Sequence, residues 1–414
     1  MVRRRKFGRA LTLLVAAAGL AACVADPGRA GYGHPAPVGT GALPTGRRVA
    51  ILLPLTGPNA ELGQAMLRAA QLSLDQPGAP ALDVRDTGGT PAGAAEAAKL
   101  ALAAGAGLIL GPLTAGETAA AAPVAKASGI PVLAFTSDAA QVQPGVWALG
   151  ITPAQQVRRL VLAVQAEGKT RVAAVLPKNA FGDAMASGLT ATAAAAGLPE
   201  PQVMRYGGSF AALNAALKDA SGYSARRGAA EQQQRDAHAQ SDPDSQPEPV
   251  DPGQQAAPPP LDALLLGAAG ESLGQAAPLL ATYDVAPNHV RVLGPALWAR
   301  EASRLSAIAG AWYAAPDPAQ RASFEQQYAA KYNAPPREYA SLAYDAAAIA
   351  RVTADSIGFT PGALARPEGF AGVDGVLALL PDGQVRRGLA IFEIDHGGSH
   401  IVQPAPQSIS APGV

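Results

Sequence analysis

From Arg47 onward, short apolar runs alternate with longer segments of helical period, and this alternation limits the fold more than any other feature of the chain. "VAILLP" (49–54) reads as a buried strand. Residues 61–76 read as a helix with Leu62, Met66, Ala69 and Leu72 on one face. "ALDVRD" (81–86) alternates as a strand does, and "PAGAAEAAKLALAAG" (91–105) opens on Pro and closes on Gly, the asymmetry of helix ends. "LIL" (108–110), a helix near 115–127 and "PVLAF" (131–135) complete a βαβαβαβ series. Such a series builds a parallel sheet with helices on both faces.

A second series follows. "VWALGI" (146–151) leads to a helix from Pro153 to about Glu167, "RVAAVLP" (171–177) to a helix from Asp183 to Ala196, and "QVMRY" (202–206) to a helix near 210–220. Residues 221–260 then carry almost no large apolar side chains and many Gln, Pro and Asp. Such a stretch buries too little surface to offset its ordering entropy, so it is expected to be a disordered insertion. The order resumes with "LDALLLG" (261–267), a helix from Glu271 to Tyr283, "VRVLG" (290–294), and helices around 298–308, 318–332 and 339–356. "GVLALL" and "RGLAIFEI" close the series, and the "PDGQ" between them is a hairpin signal. At 414 residues one core is improbable. Two lobes and a tail (396–414) are therefore expected.

In open parallel sheets, ligands sit beyond the carboxyl ends of the strands, where helix N-termini expose unpaired amides. "GPLTAGET" places Thr114 at one such junction, and "AFTSD" places Thr136 and Ser137 at the next. Short hydroxyls there suit a polar head group such as a carboxylate, with plain N-capping as the other reading. No chemistry of another kind competes. Lys plus Arg (32) equals Asp plus Glu (32), which excludes a nucleic-acid binder driven by bulk charge. The five histidines are scattered without metal-ligand spacing, and no phosphate-loop, dinucleotide or nucleophile-elbow motif occurs. Asp83 and Asp86 flank a strand as solvated charges, and Trp298, Trp312 and Tyr313 are assigned to packing in the second lobe. The chain is therefore expected to be no enzyme, without cofactor or metal.

The N-terminus reads as a targeting segment, with a basic start, "MVRRRKFGRA", and an apolar run, "LTLLVAAAGLAA", too short to span a bilayer. Its end, "LAAC", resembles the bacterial lipobox. That resemblance implies a signal peptide over 1–22, lipidation of Cys23 and a tether over 23–46; an ordinary cleaved signal peptide is the alternative. Each buried acyl CH2 is worth about 0.8 kcal/mol, so several chains anchor firmly. Val24 after the cysteine, in place of Asp, leans by the same resemblance toward the outer membrane over the inner.

Four stretches carry a wider likeness: "VAILLPLTGPNAELGQAMLRAAQLSLD", "ILGPLTAGETAAAAPVAKASGIPVLAFTSDA", "VAAVLPKNAFGDAMASGL" and "PEGFAGVDGVLALLPDGQVRRGLAIFEI". They resemble type I periplasmic binding proteins, most closely the Leu/Ile/Val-binding type. The resemblance spans 47–395 and implies an α/β fold of two doubly wound Rossmann-like lobes joined by three crossovers, with a small polar ligand between them. It also implies the bounds of lobe 1 (47–149 and 316–376) and lobe 2 (150–315 and 377–395). The family's carboxylate-binding positions fall on Thr114 or Ala115 and on Phe135, Thr136 and Ser137, and its "YG" tyrosine falls on Phe181. The acidic residue that pairs a ligand's amino group in this family falls in "LGPALW", where Ala296 and Leu297 stand. An ammonium buried there without a partner costs several kcal/mol. Glu271 is the candidate substitute, with helix-dipole compensation as its other reading. These departures fit the subgroup of lipoprotein activators of penicillin-binding proteins. The implied partner is a peptidoglycan synthase, with an ABC permease as the alternative, and the membrane is met only through the lipid.

Overall fold

The computed structural model describes residues 48–241, 257–354 and 358–411. The expected signal peptide, Cys23 and the tether lie outside them. Among the described residues no helix is long and apolar enough to cross a membrane.

The first sheet has five parallel strands in the order β2-β1-β3-β4-β5: β1 (Arg48–Leu53), β2 (Leu82–Asp86), β3 (Ala106–Leu110), β4 (Val132–Ala134) and β5 (Val146–Ala148). Helices α1 (Ala60–Ser73), α2 (Pro91–Ala103) and α3 (Ala115–Ala127) connect the strands. Alanines of α2 and α3 pack on Ala50, Leu52 and Ile109 from one side. On the other side Met66 of α1 joins Val49, Ile51, Leu108 and Leu110. Small residues there let helices and sheet approach closely, which is why so few aromatics suffice.

After β5 the chain crosses into a second sheet, ordered β14-β13-β10-β9-β8-β6-β7. It contains β6 (Val172–Pro177), β7 (Gln202–Tyr206), β8 (Ala263–Leu266), β9 (Arg291–Gly294) and β10 (Trp312–Ala315) in parallel. Its helices are α4 (Pro153–Ala166), α5 (Ala180–Ala195), α6 (Phe210–Ala220), α7 (Tyr223–Ser241) and α8 (Glu271–Thr282). The chain returns to the first lobe for α9 (Pro318–Tyr332) and α10 (Ala340–Ala354), whose Phe324, Tyr328, Leu342 and Ile349 complete that core. A ribbon of β11 (Leu377–Leu379) and β12 (Val385–Arg387) packs on it too. A third crossing delivers β13 (Ala390–Ile394), antiparallel to β10 and followed by β14 (Ser399–Gln403). Trp298, Trp312 and Tyr313 are buried in the second lobe.

Four expectations need correction. "GVLALL" pairs with Val385–Arg387, and "RGLAIFEI" instead carries the third crossing into the other sheet. The segment read as a tail contains β14, because Ile391–Ile394 offers it an open edge. The helix expected around 298–308 is three short 3-10 turns, which bury Trp298, Ala302 and Ile308 one to a turn. Of the insertion expected to be disordered over 221–260, residues 223–241 form α7. Apolar content was the wrong measure there, because a buried cation seats the first turn. Arg226 donates to the carbonyls of Ser221, Ala257 and Tyr283 at 2.8–3.0 Å and to Asp284 at 3.1 Å. Tyr223 meets Tyr283 edge to face. Beyond this base, Ala, Gln, Arg and Glu are good helix formers. Residues 242–256 lie outside the described part.

The crossings are held by polar groups. The Arg387 guanidinium is fully buried, donates to the Leu149 carbonyl at 3.0 Å, and lies 3.7 Å from Asp345 of α10. From the second lobe, Gln155 and Arg159 of α4 donate to the carbonyls of Val385 and Leu389 at 2.6 and 2.7 Å. Asp345 accepts from the Val373 amide at 2.8 Å, while its neighbour Asp374 is held by Ser341 and Arg321. Burial, and then the charge of Asp374, push the Asp345 carboxyl up to about 7, with Arg387 opposing. A raised carboxyl stays protonated in the fold while the unfolded chain ionises. Its penalty is therefore absent below about pH 4 and grows as pH rises toward 7. The stability difference between wild type and Asp345→Asn is accordingly expected to move in the variant's favour between pH 4 and 7, as read by urea unfolding at each pH.

Candidate ligand-binding cleft

At the carboxyl edge of each sheet the chain turns sharply into a helix, and glycine makes the turn close. A Cβ on Gly63, Gly93 or Gly182 would stand 2.1, 2.1 and 2.0 Å from the carbonyl oxygens of Pro54, Thr87 and Pro177. Only a residue without a side chain lets these helix starts settle on the strand ends. The first turns are then capped by Thr90, Thr114, Thr152, Asn179 and Ser209, each accepting from an amide three residues on.

Two ion pairs show which edges face each other. In lobe 1, Arg337 pairs with Glu61 at 2.5 Å, which sets the segment before α10 beside the N-terminus of α1, at the carboxyl edge. In lobe 2, Arg300 lies in the turns that follow the carboxyl end of β9. Arg300 pairs with Glu338. The two carboxyl edges therefore meet across one gap, the geometry in which a ligand is gripped between lobes.

Within lobe 1 the hydroxyls divide into used and free. Glu117 is wholly buried, with one carboxylate oxygen accepting from the Thr87 hydroxyl at 2.5 Å. The other accepts from the Thr114 amide and hydroxyl at 2.9 and 2.8 Å. The Thr114 hydroxyl also accepts from the Glu117 amide, so its one hydrogen is spent on a capping box. Ala115 opens α3 at the same place, partly exposed and without a polar side chain. Phe135 is buried in the lobe 1 core. The Thr136 hydroxyl is buried against the Asp138 amide at 3.0 Å. Ser137 is exposed at the end of β4, and its hydroxyl makes no hydrogen bond among the described residues. Of the group read from sequence, Ser137 alone keeps a free hydroxyl.

In lobe 2, Phe181 lies in the first turn of α5, partly buried against the core. Glu271 is exposed in the first turn of α8, where it accepts from Gln275 at 3.2 Å. At the place where the resemblance puts the family's acidic residue, Ala296 is partly buried and Leu297 is 48% exposed. The sequence reading missed Glu301, partly buried in the turns after β9. Its Oε1 lies 4.0 Å from where a Cβ on Gly270 would stand, at the start of α8. It also gave Asp86 too small a role. That carboxylate accepts from the Leu55, Thr56 and Gly88 amides at 2.8, 3.2 and 2.8 Å and from the Thr56 hydroxyl at 2.7 Å. Burial acts to raise its pKa, but these bonds, Thr56 foremost, outweigh it and hold the group below its ordinary value. Asp86 ties the first two turns of the rim together. Among the described residues no cluster of His, Cys, Asp or Glu is arranged to hold a metal.

Comparison with known proteins agrees with this geometry. The profile of the family described as periplasmic binding protein matches residues 47–399. A structure from Rhodospirillum rubrum described as a branched-chain amino acid ABC transporter superposes with a TM-score of 0.64 at 20% identity, covering 86% of this chain and 99% of the other. Full-length LpoA from Haemophilus influenzae gives 0.62 at 14% identity over 88% of this chain, which spans 60% of LpoA. The C-domain of the same LpoA, described as a regulator of PBP1A, gives 0.59 at 15% identity over 86% of this chain and 99% of the domain. At these identities the likeness is one of fold. No curated protein matches.

The different uses of the hydroxyls make a direct test. Glu117→Ala leaves Thr87 and Thr114 without their buried acceptor and is expected to cost about 2–4 kcal/mol in chemical denaturation. Ser137→Ala is expected to stay within about 0.5 kcal/mol of wild type, as for an exposed surface site.

Proposed function

The chain belongs to the periplasmic binding protein family, and from that premise we propose that it is a non-catalytic lipoprotein of the periplasm that activates a penicillin-binding protein. In this reading Cys23 carries the lipid and residues 23–46 are the tether. The two lobes, anchored to the outer membrane, form a surface that engages a peptidoglycan synthase. The interlobe cleft is secondary and holds at most a small polar ligand.

The observation that carries this reading is the state of the cleft edge. Ala296 and exposed Leu297 stand where the resemblance puts the carboxylate of amino-acid binders, Glu271 is bonded along its own helix, and the Thr114 hydroxyl is committed to Glu117. A free amino acid has a charge at each end and needs both paired when desolvated. The LpoA likeness supports the reading at the level of fold.

A second reading, a receptor that delivers branched-chain amino acids to an ABC permease, draws on Glu301. Its carboxylate lies in the turns after β9, near the start of α8, and in that reading it would have to pair the ligand's amino group. Titration calorimetry separates the two. With Leu, Ile, Val and peptidoglycan fragments as probes, the activator reading expects no amino-acid binding tighter than about 1 mM. It also expects a penicillin-binding protein to be recovered by crosslinking in cells. Micromolar binding of Leu, Ile or Val that Glu301→Ala abolishes would overturn it in favour of the receptor.

A further inference from the structure

We propose that the Arg300–Glu338 ion pair is a latch that holds the two lobes together across the cleft without any ligand. Among the described residues, the other ion pairs found lie within one lobe or at the buried crossings. Arg300 is carried by the turns after β9, whose Trp298 is fixed in the lobe 2 core with its indole donating to the Ala268 carbonyl at 2.8 Å. Glu338 is carried by the segment before α10, fixed in lobe 1 by Arg337 and Glu61. Both partners thus sit on short leads from the two apolar cores.

Two further observations belong to the same place. Tyr339, next to Glu338, holds φ at +66°, the left-handed region that a bulky residue adopts only when its surroundings impose it. Its phenol faces both latch partners: burial and Glu338 raise its pKa while Arg300 opposes them. The side chains of Arg300 and Glu338 are themselves 66% and 54% exposed. An exposed pair is weak and screened by salt. That suits a latch, which must open when something else offers Arg300 or Glu338 a better partner. The device acts on the cleft whichever of the two functional readings holds.

The test is a distance measurement between the lobes by double electron–electron resonance. Spin labels are placed on the exposed positions Lys99 of α2 and Lys218 of α6, in the full chain carrying Cys23→Ser. Wild type is expected to populate mainly one distance. Arg300→Glu and Glu338→Lys are each expected to shift the ratio of separated to joined lobes threefold to fivefold. The charge-reversed pair Arg300→Glu with Glu338→Arg is expected to restore the wild-type distribution. Raising NaCl from 50 to 500 mM should shift wild type in the same direction as the single variants. Single variants that match wild type, or a reversed pair that behaves like a single variant, would overturn the proposal.

Discussion

The structure turns on a charge that has no access to water. Arg387 is buried at the third crossing between the lobes, and a buried guanidinium is tolerated only where carboxylate and carbonyl oxygens surround it. It finds Asp345 on α10 and the carbonyl of Leu149, where the first crossing leaves the five-stranded sheet. Two passages of the chain, 238 residues apart, are thereby held at one point. Arg159 and Gln155 add bonds from the second lobe to the same strand of chain. The apolar cores do not run through this region, since each sheet closes its own clusters. What joins the lobes is directional and polar, and it sets the angle at which their carboxyl edges face.

That arrangement bears on function through the groups it leaves at the gap. Lobe 1 spends its rim hydroxyls and carboxylates on itself: exposed Asp86 on the first two turns, buried Glu117 on Thr87 and Thr114. What remains at the gap is mixed: exposed Leu297, Tyr339 and Ser137, with Arg300, Glu338, Arg337 and Glu61 already held in ion pairs. Charges that are already paired with one another are not free to pair the two ends of a zwitterion taken out of water. Glu301 is the group that tempers this, and it is why amino-acid binding is a measurement to make.

The strand–helix alternation was legible because it rests on local rules: buried strands of three to six residues, helix starts marked by Thr, Asn or Ser, and Gly where the chain turns. The capping role of Thr114 was legible as one of two readings, since its Glu lies three residues on. The contacts that decide between the readings join residues far apart in sequence. Nothing local to Thr87 announces Glu117, and nothing near Arg300 announces Glu338. Arg387 and Asp345 read as ordinary charges in a strand and a helix. Helix α7 was missed for a related reason: Arg226 does by hydrogen bonding what apolar side chains do elsewhere, and its acceptors at Ala257 and Tyr283 come later in the chain. Edge pairing was misread at "RGLAIFEI" because a hairpin signal states that a strand returns, not which sheet receives the next one.

The central claim is that two separately cored bodies meet at a polar hinge. Native-state amide hydrogen exchange on the full chain, comparing wild type with Leu110→Ala, tests it most directly. Leu110 is buried in the lobe 1 core, and such a truncation costs about 2–5 kcal/mol. The account predicts that protection falls across the five-stranded sheet, α1 and α10, while β6 through β10 exchange as in wild type. An equal loss of protection in both sheets would contradict it, because the chain would then be one cooperative body and the gap between the edges no hinge.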